Sequence, residues 1–78
     1  MFAPPPVVEA RLFASLPDEL AGRPEESAWL QTQHRGRRLK AFLEGPSFDR
    51  AGNLYCVDLA YGRILRVSPA GEFSVICQ

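Results

Sequence analysis

Short runs rich in hydrophobic residues follow one another through the second half of the chain, and polar, glycine-containing turns separate them about every ten residues. The turn sequences are DRAGN, AYG and SPAG, and they place Gly52, Gly62 and Gly71 where a hairpin needs a positive φ. Four short runs flank these turns: PSFD, LYCVD, RILRVS and EFSVIC. Turns at this interval predict an antiparallel meander of four strands within residues 42–78.

The second predicted strand is apolar on both of its faces. Leu54 and Cys56 point to one side, and Tyr55 and Val57 point to the other. A sheet with one solvated face would show a cleaner alternation of apolar and polar residues. The pattern therefore favours a sheet that is covered on both sides, as is a blade of a β-propeller between its neighbours.

Residues 1–16 are predicted to form an extended lead-in followed by a strand. Pro4 to Pro6 favour an extended, unpaired backbone. The next seven residues, VVEARLF, alternate between two sets: Val8, Ala10 and Leu12 on one side, and Val7, Glu9, Arg11 and Phe13 on the other. This period of two predicts a strand over residues 7–13.

Residues 17–41 form a connecting segment with at most one short helix. Pro24, Glu25 and Glu26 suit a helix N-terminus, where carboxylates offset the positive end of the helix dipole. The sequence ESAWLQTQH can continue as a helix for two turns before Gly36 ends it. We interpret Trp29 and Phe42 as apolar anchors that hold this segment on the sheet.

Length and composition narrow the class of protein. Seventy-eight residues allow one small domain. Nine basic residues balance nine acidic ones, so no overall charge favours nucleic acid or an anionic membrane as a partner. The N-terminus has no signal-peptide pattern, and no apolar run approaches the roughly 20 residues that span a bilayer. We expect a cytoplasmic protein.

The basic run HRGRRLK, residues 34–40, has two interpretations. It is either a patch that binds nucleic acid or phosphate, or a solvated connecting loop. No aromatic residues are interleaved with the basic ones, and the net charge is zero, so we favour the loop. His34 has no partner at catalytic or metal-binding spacing.

The two cysteines, Cys56 and Cys77, fall on the second and fourth predicted strands. One strand then separates them by two inter-strand spacings, roughly 9–10 Å. A disulfide requires Cα atoms within roughly 7 Å. We therefore predict two free thiols.

The run FLEGPSFDRAGNLYCVDLAYGRILRVSPAGE resembles the opening blade of the gluconolactonase and senescence-marker-protein (regucalcin) family. The matching elements are Glu44-Gly45-Pro46, Asp49 through Asp58, and Gly62 through Val67. The upstream VVEARLFASLP is similar to the strand that closes the ring against the last blade in that family. The resemblance implies an all-β, six-bladed propeller, of which this chain covers only the first blade.

The resemblance also implies a function for Glu44. In that family the glutamate before Gly-Pro is a ligand of a divalent cation, calcium or zinc, and the other ligands are two asparagines and an aspartate from later blades. The reaction is hydrolysis of sugar-type lactones. The chain alone would lack most of that active site, and we expect the isolated chain to self-associate through its open sheet edge.

Two alternatives stay open. Glu44 could be a solvated turn carboxylate with no ligand role. The sequences PSFDRAGNLYCVD and RILRV also fit an NHL-type repeat, which is a non-enzymatic binding scaffold. Asp49 and Asp58 are interpreted as turn residues that accept backbone N–H bonds, and neither is assigned to catalysis.

Overall fold

A computed structural model describes residues 3–33 and 38–78 of the chain. The protein is mostly β in its regular structure, with little helix. Its elements are two 3₁₀ turns at Asp18–Leu20 and Pro24–Glu26, helix α1 at Ala28–Gln33, and strands β1 at Leu43–Phe48, β2 at Leu54–Asp58, β3 at Arg63–Val67 and β4 at Phe73–Cys77.

The four strands form one antiparallel sheet in the order β1-β2-β3-β4, which confirms the predicted meander. The first strand begins earlier than expected, at Leu43 rather than at Pro46. A β-bulge between Glu44 and Ser47 shifts its register against β2. Gly45 lies inside this bulge with φ +61°, a conformation that other residues rarely adopt.

The turns that precede β2 and β4 share one construction. In the first, the backbone N–H of Gly52 donates to the carbonyl of Asp49, and the Asp49 side chain accepts from the N–H of Asn53. In the second, Gly71 donates to the carbonyl of Ser68, whose hydroxyl accepts from the N–H of Glu72. Both glycines have a positive φ, as predicted. The role predicted for Asp49 is confirmed.

The core lies on one face of the sheet. Leu65 on β3 is fully buried and lies opposite Cys56 on β2, so the two side chains share a face. Val67 is buried two residues further along β3, on the same side. Val57, on the other face of β2, remains exposed. Among the described residues, the burial expected on both faces is therefore found on one.

The strand predicted over residues 7–13 is absent, and this prediction is wrong. Residues 3–17 form neither helix nor strand. The alternation in VVEARLF is compatible with a strand, but a strand forms only where a second strand supplies hydrogen-bond partners. Within the described part of the chain, all four strands pair only with one another.

The connecting segment is attached to the turn between β2 and β3. The Ser27 hydroxyl donates to the carbonyl of Ala60 and accepts from the N–H of Leu30, which places the start of α1 beside this turn. The rings of Trp29 and Phe42 contact each other with centroids 5.0 Å apart. The short helix is confirmed, whereas Gly36, its predicted end, lies outside the described residues.

The helices in the described part of the chain are short. None of them combines the length and the apolar character that crossing a bilayer requires.

Candidate functional site

Glu44 lies on β1, an edge strand, at the start of the β-bulge. Its side chain is exposed, and its Cα partner across the sheet is Val57. The bulge and the positive φ of Gly45 bend the strand directly after it, which can redirect a side chain at a sheet edge. The geometry is that of a carboxylate presented to solvent on a regular element.

A divalent cation needs more than this one carboxylate. Calcium takes six to eight oxygen ligands and zinc takes four ligands. Within residues 3–33 and 38–78, no three His, Cys, Asp or Glu side chains come together in a way that could hold a metal ion. The described residues therefore do not fit a complete metal centre, and Glu44 could supply one ligand at most.

A buried ion pair, which the sequence did not predict, lies at the same end of the sheet. The Nε of Arg63 donates to Oδ2 of Asp58 at 2.8 Å. Asp58 is fully buried, and Arg63 is 8% exposed. The two residues are direct partners across the β2–β3 ladder and flank the turn that joins these strands. Burying two charges costs free energy of desolvation. The pair is therefore tolerated only if surrounding donors and acceptors satisfy its hydrogen bonds.

Asp58 satisfies its second oxygen with the backbone. Its Oδ1 accepts from the N–H of Phe42 at 2.9 Å and from the N–H of Ala60 at 3.1 Å. The role predicted for Asp58 as a turn residue is thus confirmed. The carboxylate in addition joins the end of the connecting segment, at Phe42, to the turn between β2 and β3.

The N–H donors of Arg63 are less completely hydrogen-bonded than the oxygens of Asp58. The Nη2 of Arg63 is buried and has no hydrogen-bond partner within the described residues. The guanidinium lies over the ring of Tyr61, with Cζ 5.5 Å from the ring centroid. The Tyr61 hydroxyl donates to the carbonyl of Leu39 at 2.6 Å. Burial raises the pKa of Tyr61, and the negative charge of Asp58 raises it further.

A cleft of about 440 Å³ opens beside this ion pair. Its lining residues come from the connecting segment, the β2–β3 turn, the start of β3 and the residue after β4: Ala21, Gly22, Arg23, Glu26, Ala60, Tyr61, Arg63 and Gln78. A guanidinium donor at the wall of such a cleft can bind a carbonyl or carboxylate oxygen. Glu44 does not line the cleft, so the structure does not bring together the predicted residue and the newly found pair.

Cys56 is buried and Cys77 is exposed, and both are free. They lie on β2 and β4 with β3 between them, which confirms the strand order used to predict free thiols.

In the basic run, Lys40 contacts Asp18 at 2.6 Å and Arg38 lies 3.9 Å from Glu25. His34, Arg35 and Arg37 lie outside the described residues.

One signal could have revealed the ion pair from the sequence. An acidic residue that ends one strand and a basic residue that begins the next lie directly opposite each other in a hairpin of matching register. Asp58 and Arg63 fit that description, with four residues between them. The pattern does not specify which face they share, and burial decides whether such a pair is structural.

The fold and the site define a small antiparallel β-sheet protein with a short helical connecting segment and a buried ion pair at one end of the sheet. Searches of protein-family models, of curated proteins and of solved structures found no match to this chain.

Proposed function

We propose that this sheet is one blade of a β-propeller and that Glu44 contributes one ligand to the divalent cation of a lactone hydrolase. The cation would be calcium or zinc, and the substrate a sugar-type lactone. Its other ligands and the general base would come from outside the described residues. The observation that carries the proposal is the position of Glu44: an exposed carboxylate on the first strand, held at a β-bulge whose Gly45 has φ +61°.

Two further features support the blade interpretation. The sheet is a meander of four strands, which is the unit of propeller architecture. It also leaves apolar side chains exposed, among them Leu43, Val57 and Ile76, which a neighbouring sheet would cover. Such a cation would polarise the lactone carbonyl or activate water. Glu44 would supply only one of its ligands.

The first test uses the 78-residue chain alone. We expect it to bind calcium or zinc no more tightly than about millimolar, because one carboxylate cannot replace a full coordination shell. It should not open a sugar lactone above the buffer rate. Tight metal binding or turnover by this chain, measured by calorimetry and a lactone-opening assay, would contradict the proposal that the site is completed elsewhere.

The second test extends the chain with the sequence encoded after Gln78, if the reading frame continues into further blades. In that protein Glu44→Gln should abolish metal-dependent lactone hydrolysis and leave the far-UV spectrum unchanged. Glu72→Gln is the matched control, since Glu72 is also exposed but lies in the turn at the opposite end of the sheet. Equal rates for Glu44→Gln and the unmodified protein would rule out the ligand role.

A non-enzymatic NHL-type scaffold is the second candidate, and the buried Asp58–Arg63 pair favours it. The pair joins β2 to β3 beside their turn and is separate from Glu44, which suits a structural role in a scaffold. In the extended protein, a scaffold would show no lactone hydrolysis with either cation. That result would favour this candidate.

A further inference from the structure

The segment Val7–Phe13 is the most exposed apolar part of the described chain. Its four large apolar side chains are Val7 at 97% exposure, Val8 at 86%, Leu12 at 84% and Phe13 at 66%. Single exposed apolar residues are normal on protein surfaces, but four within seven consecutive residues indicate an interaction surface. The segment has a strand pattern and lacks a strand partner in the described structure.

The position of the segment leaves it accessible to another molecule. At its C-terminal end, Phe13 and Ala14 lie against the turn before β4, since a Cβ on Gly71 would be 3.6 Å from the Cβ of Ala14 and 3.9 Å from the Phe13 carbonyl. Every residue from position 3 to Phe13 is exposed. The segment is therefore anchored at one end and leaves both of its strand edges open.

The sequence of this segment is complementary to itself in the antiparallel direction. When two copies are aligned about Ala10, Val7 lies opposite Phe13, and Val8 lies opposite Leu12. Glu9 lies opposite Arg11, and the two-fold symmetry repeats this pair on the other side of the axis. Apolar residues thus face apolar residues, and opposite charges face each other twice, which are the pairings that stabilise neighbouring strands.

Neighbouring registers lose this complementarity. A shift by two residues in one direction places Glu9 opposite Glu9, and a shift in the other direction places Arg11 opposite Arg11. A shift by one residue places each charge opposite an apolar residue. Like charges directly opposite are destabilising, so the sequence selects one register out of these five.

We propose that two copies of this chain associate through Val7–Phe13, which pair as an antiparallel two-stranded ribbon with its two-fold axis at Ala10. The interface is isologous, because each copy offers the same surface. Pro4 to Pro6 lack backbone N–H groups and limit the ribbon on the N-terminal side. Seven residues from each copy form a small interface, so the dimer should be weak. This proposal does not depend on the proposed function.

The test reverses the two charges one at a time in the 78-residue chain. Glu9→Arg gives a copy with arginine at positions 9 and 11, and Arg11→Glu gives a copy with glutamate at both. Each variant alone then places like charges opposite each other twice, and we expect its dimer dissociation constant to rise about 30-fold. Far-UV spectra should stay unchanged, since both residues are exposed.

Mixing the two variants restores the pairing. Every Arg in one copy then lies opposite a Glu in the other, so an equimolar mixture should form a heterodimer of about the unmodified affinity. The double variant Glu9→Arg/Arg11→Glu should again form a homodimer. Sedimentation velocity over a concentration series measures all five samples, and added salt should weaken the charge-dependent part of the association.

Three outcomes would overturn the proposal. A chain that stays monomeric up to about millimolar concentration does not use this surface for itself. If neither charge reversal changes the dissociation constant, the association must occur elsewhere, for instance at the open edge of β4. Association that both variants lose, and that neither the mixture nor the double variant recovers, shows that these charges do not face each other.

Discussion

The N-terminal segment and the sheet region of this chain both have strand-like sequences but reach different structures. In residues 43–77 the apolar runs are separated by short turns, and each strand finds its neighbour a few residues away. In residues 3–17 the alternating run VVEARLF finds no neighbouring strand and forms no strand itself. The difference indicates that a strand-like sequence gives a segment the capacity to form a strand, whereas the turns determine whether it does so within one chain.

Replacing Asp58 by Ala should have the largest effect in this comparison, because Asp58 joins Phe42, just before β1, to the turn between β2 and β3. The change leaves the buried Arg63 unpaired and removes the acceptor for the N–H groups of Phe42 and Ala60. Loss of one partner of a buried pair costs about 3–5 kcal/mol. Urea unfolding followed by far-UV circular dichroism should show that most of the stability is lost.

Asp58→Asn is the control for this prediction. The amide oxygen can still accept from the backbone, but the negative charge opposite Arg63 is gone, so the loss of stability should be smaller than with alanine. If Asp58→Ala changed the free energy of unfolding by less than about 1 kcal/mol, the pair would not be the junction described above.

One leucine from each region gives a direct comparison of the effect on the free energy of unfolding. Leu65 is fully buried on β3, whereas Leu12 is 84% exposed in the N-terminal segment. Leu65→Ala should lower the free energy of unfolding by about 2–5 kcal/mol, because it leaves a cavity in the core. Leu12→Ala should change it by no more than about 0.5 kcal/mol when measured at a concentration where the chain is monomeric. Similar losses for both leucines would place Leu12 in the core.

Asp49, in the turn between β1 and β2, should have a smaller and pH-dependent effect on stability. Hydrogen bonds from the side chain and backbone N–H of Asn53, together with one from the Tyr55 hydroxyl, lower the pKa of Asp49 to about 2. Because the folded pKa lies below the usual value of 3.8, the ionised carboxylate stabilises the fold above about pH 4. This contribution is lost as the pH falls through about 2.

The measurement compares the unmodified chain with Asp49→Asn between pH 7 and pH 2. The unmodified chain should be more stable at neutral pH, and the difference should shrink below about pH 4. Asp18, whose pKa is lowered by Lys40, titrates in both proteins and so cancels from the difference. A difference that stayed constant down to pH 2 would show that the Asp49 charge does not contribute.

The parts of the fold that were predictable depend on local chemistry. Gly52, Gly62 and Gly71 mark positions of positive φ, and each occurs next to a strand pattern, so the meander and its order followed from the sequence. The turn sequence DRAGN also indicates that the side chain of Asp49 closes the turn, and in the structure it accepts the backbone N–H of Asn53. These features depend on residues within five positions of one another.

The parts that were not predictable depend on contacts between distant residues. Whether residues 7–13 form a strand depends on a partner that the sequence pattern does not name. The burial of Asp58 depends on Phe42, 16 residues away, and on the packing of the connecting segment against the β2–β3 turn. Glu44 lies within β1 rather than before it, and its ligand role stays a prediction.

The contact between Trp29 and Phe42 makes tryptophan fluorescence a useful probe of unfolding in this chain. It contains one tryptophan, which lies half-buried in helix α1, beside the residue that precedes β1. Tryptophan emission therefore reports on the attachment of the connecting segment, while the amide signal follows the sheet. Unfolding curves that coincide would mean that both parts melt as one cooperative unit, and curves that separate would reveal the order in which they come apart.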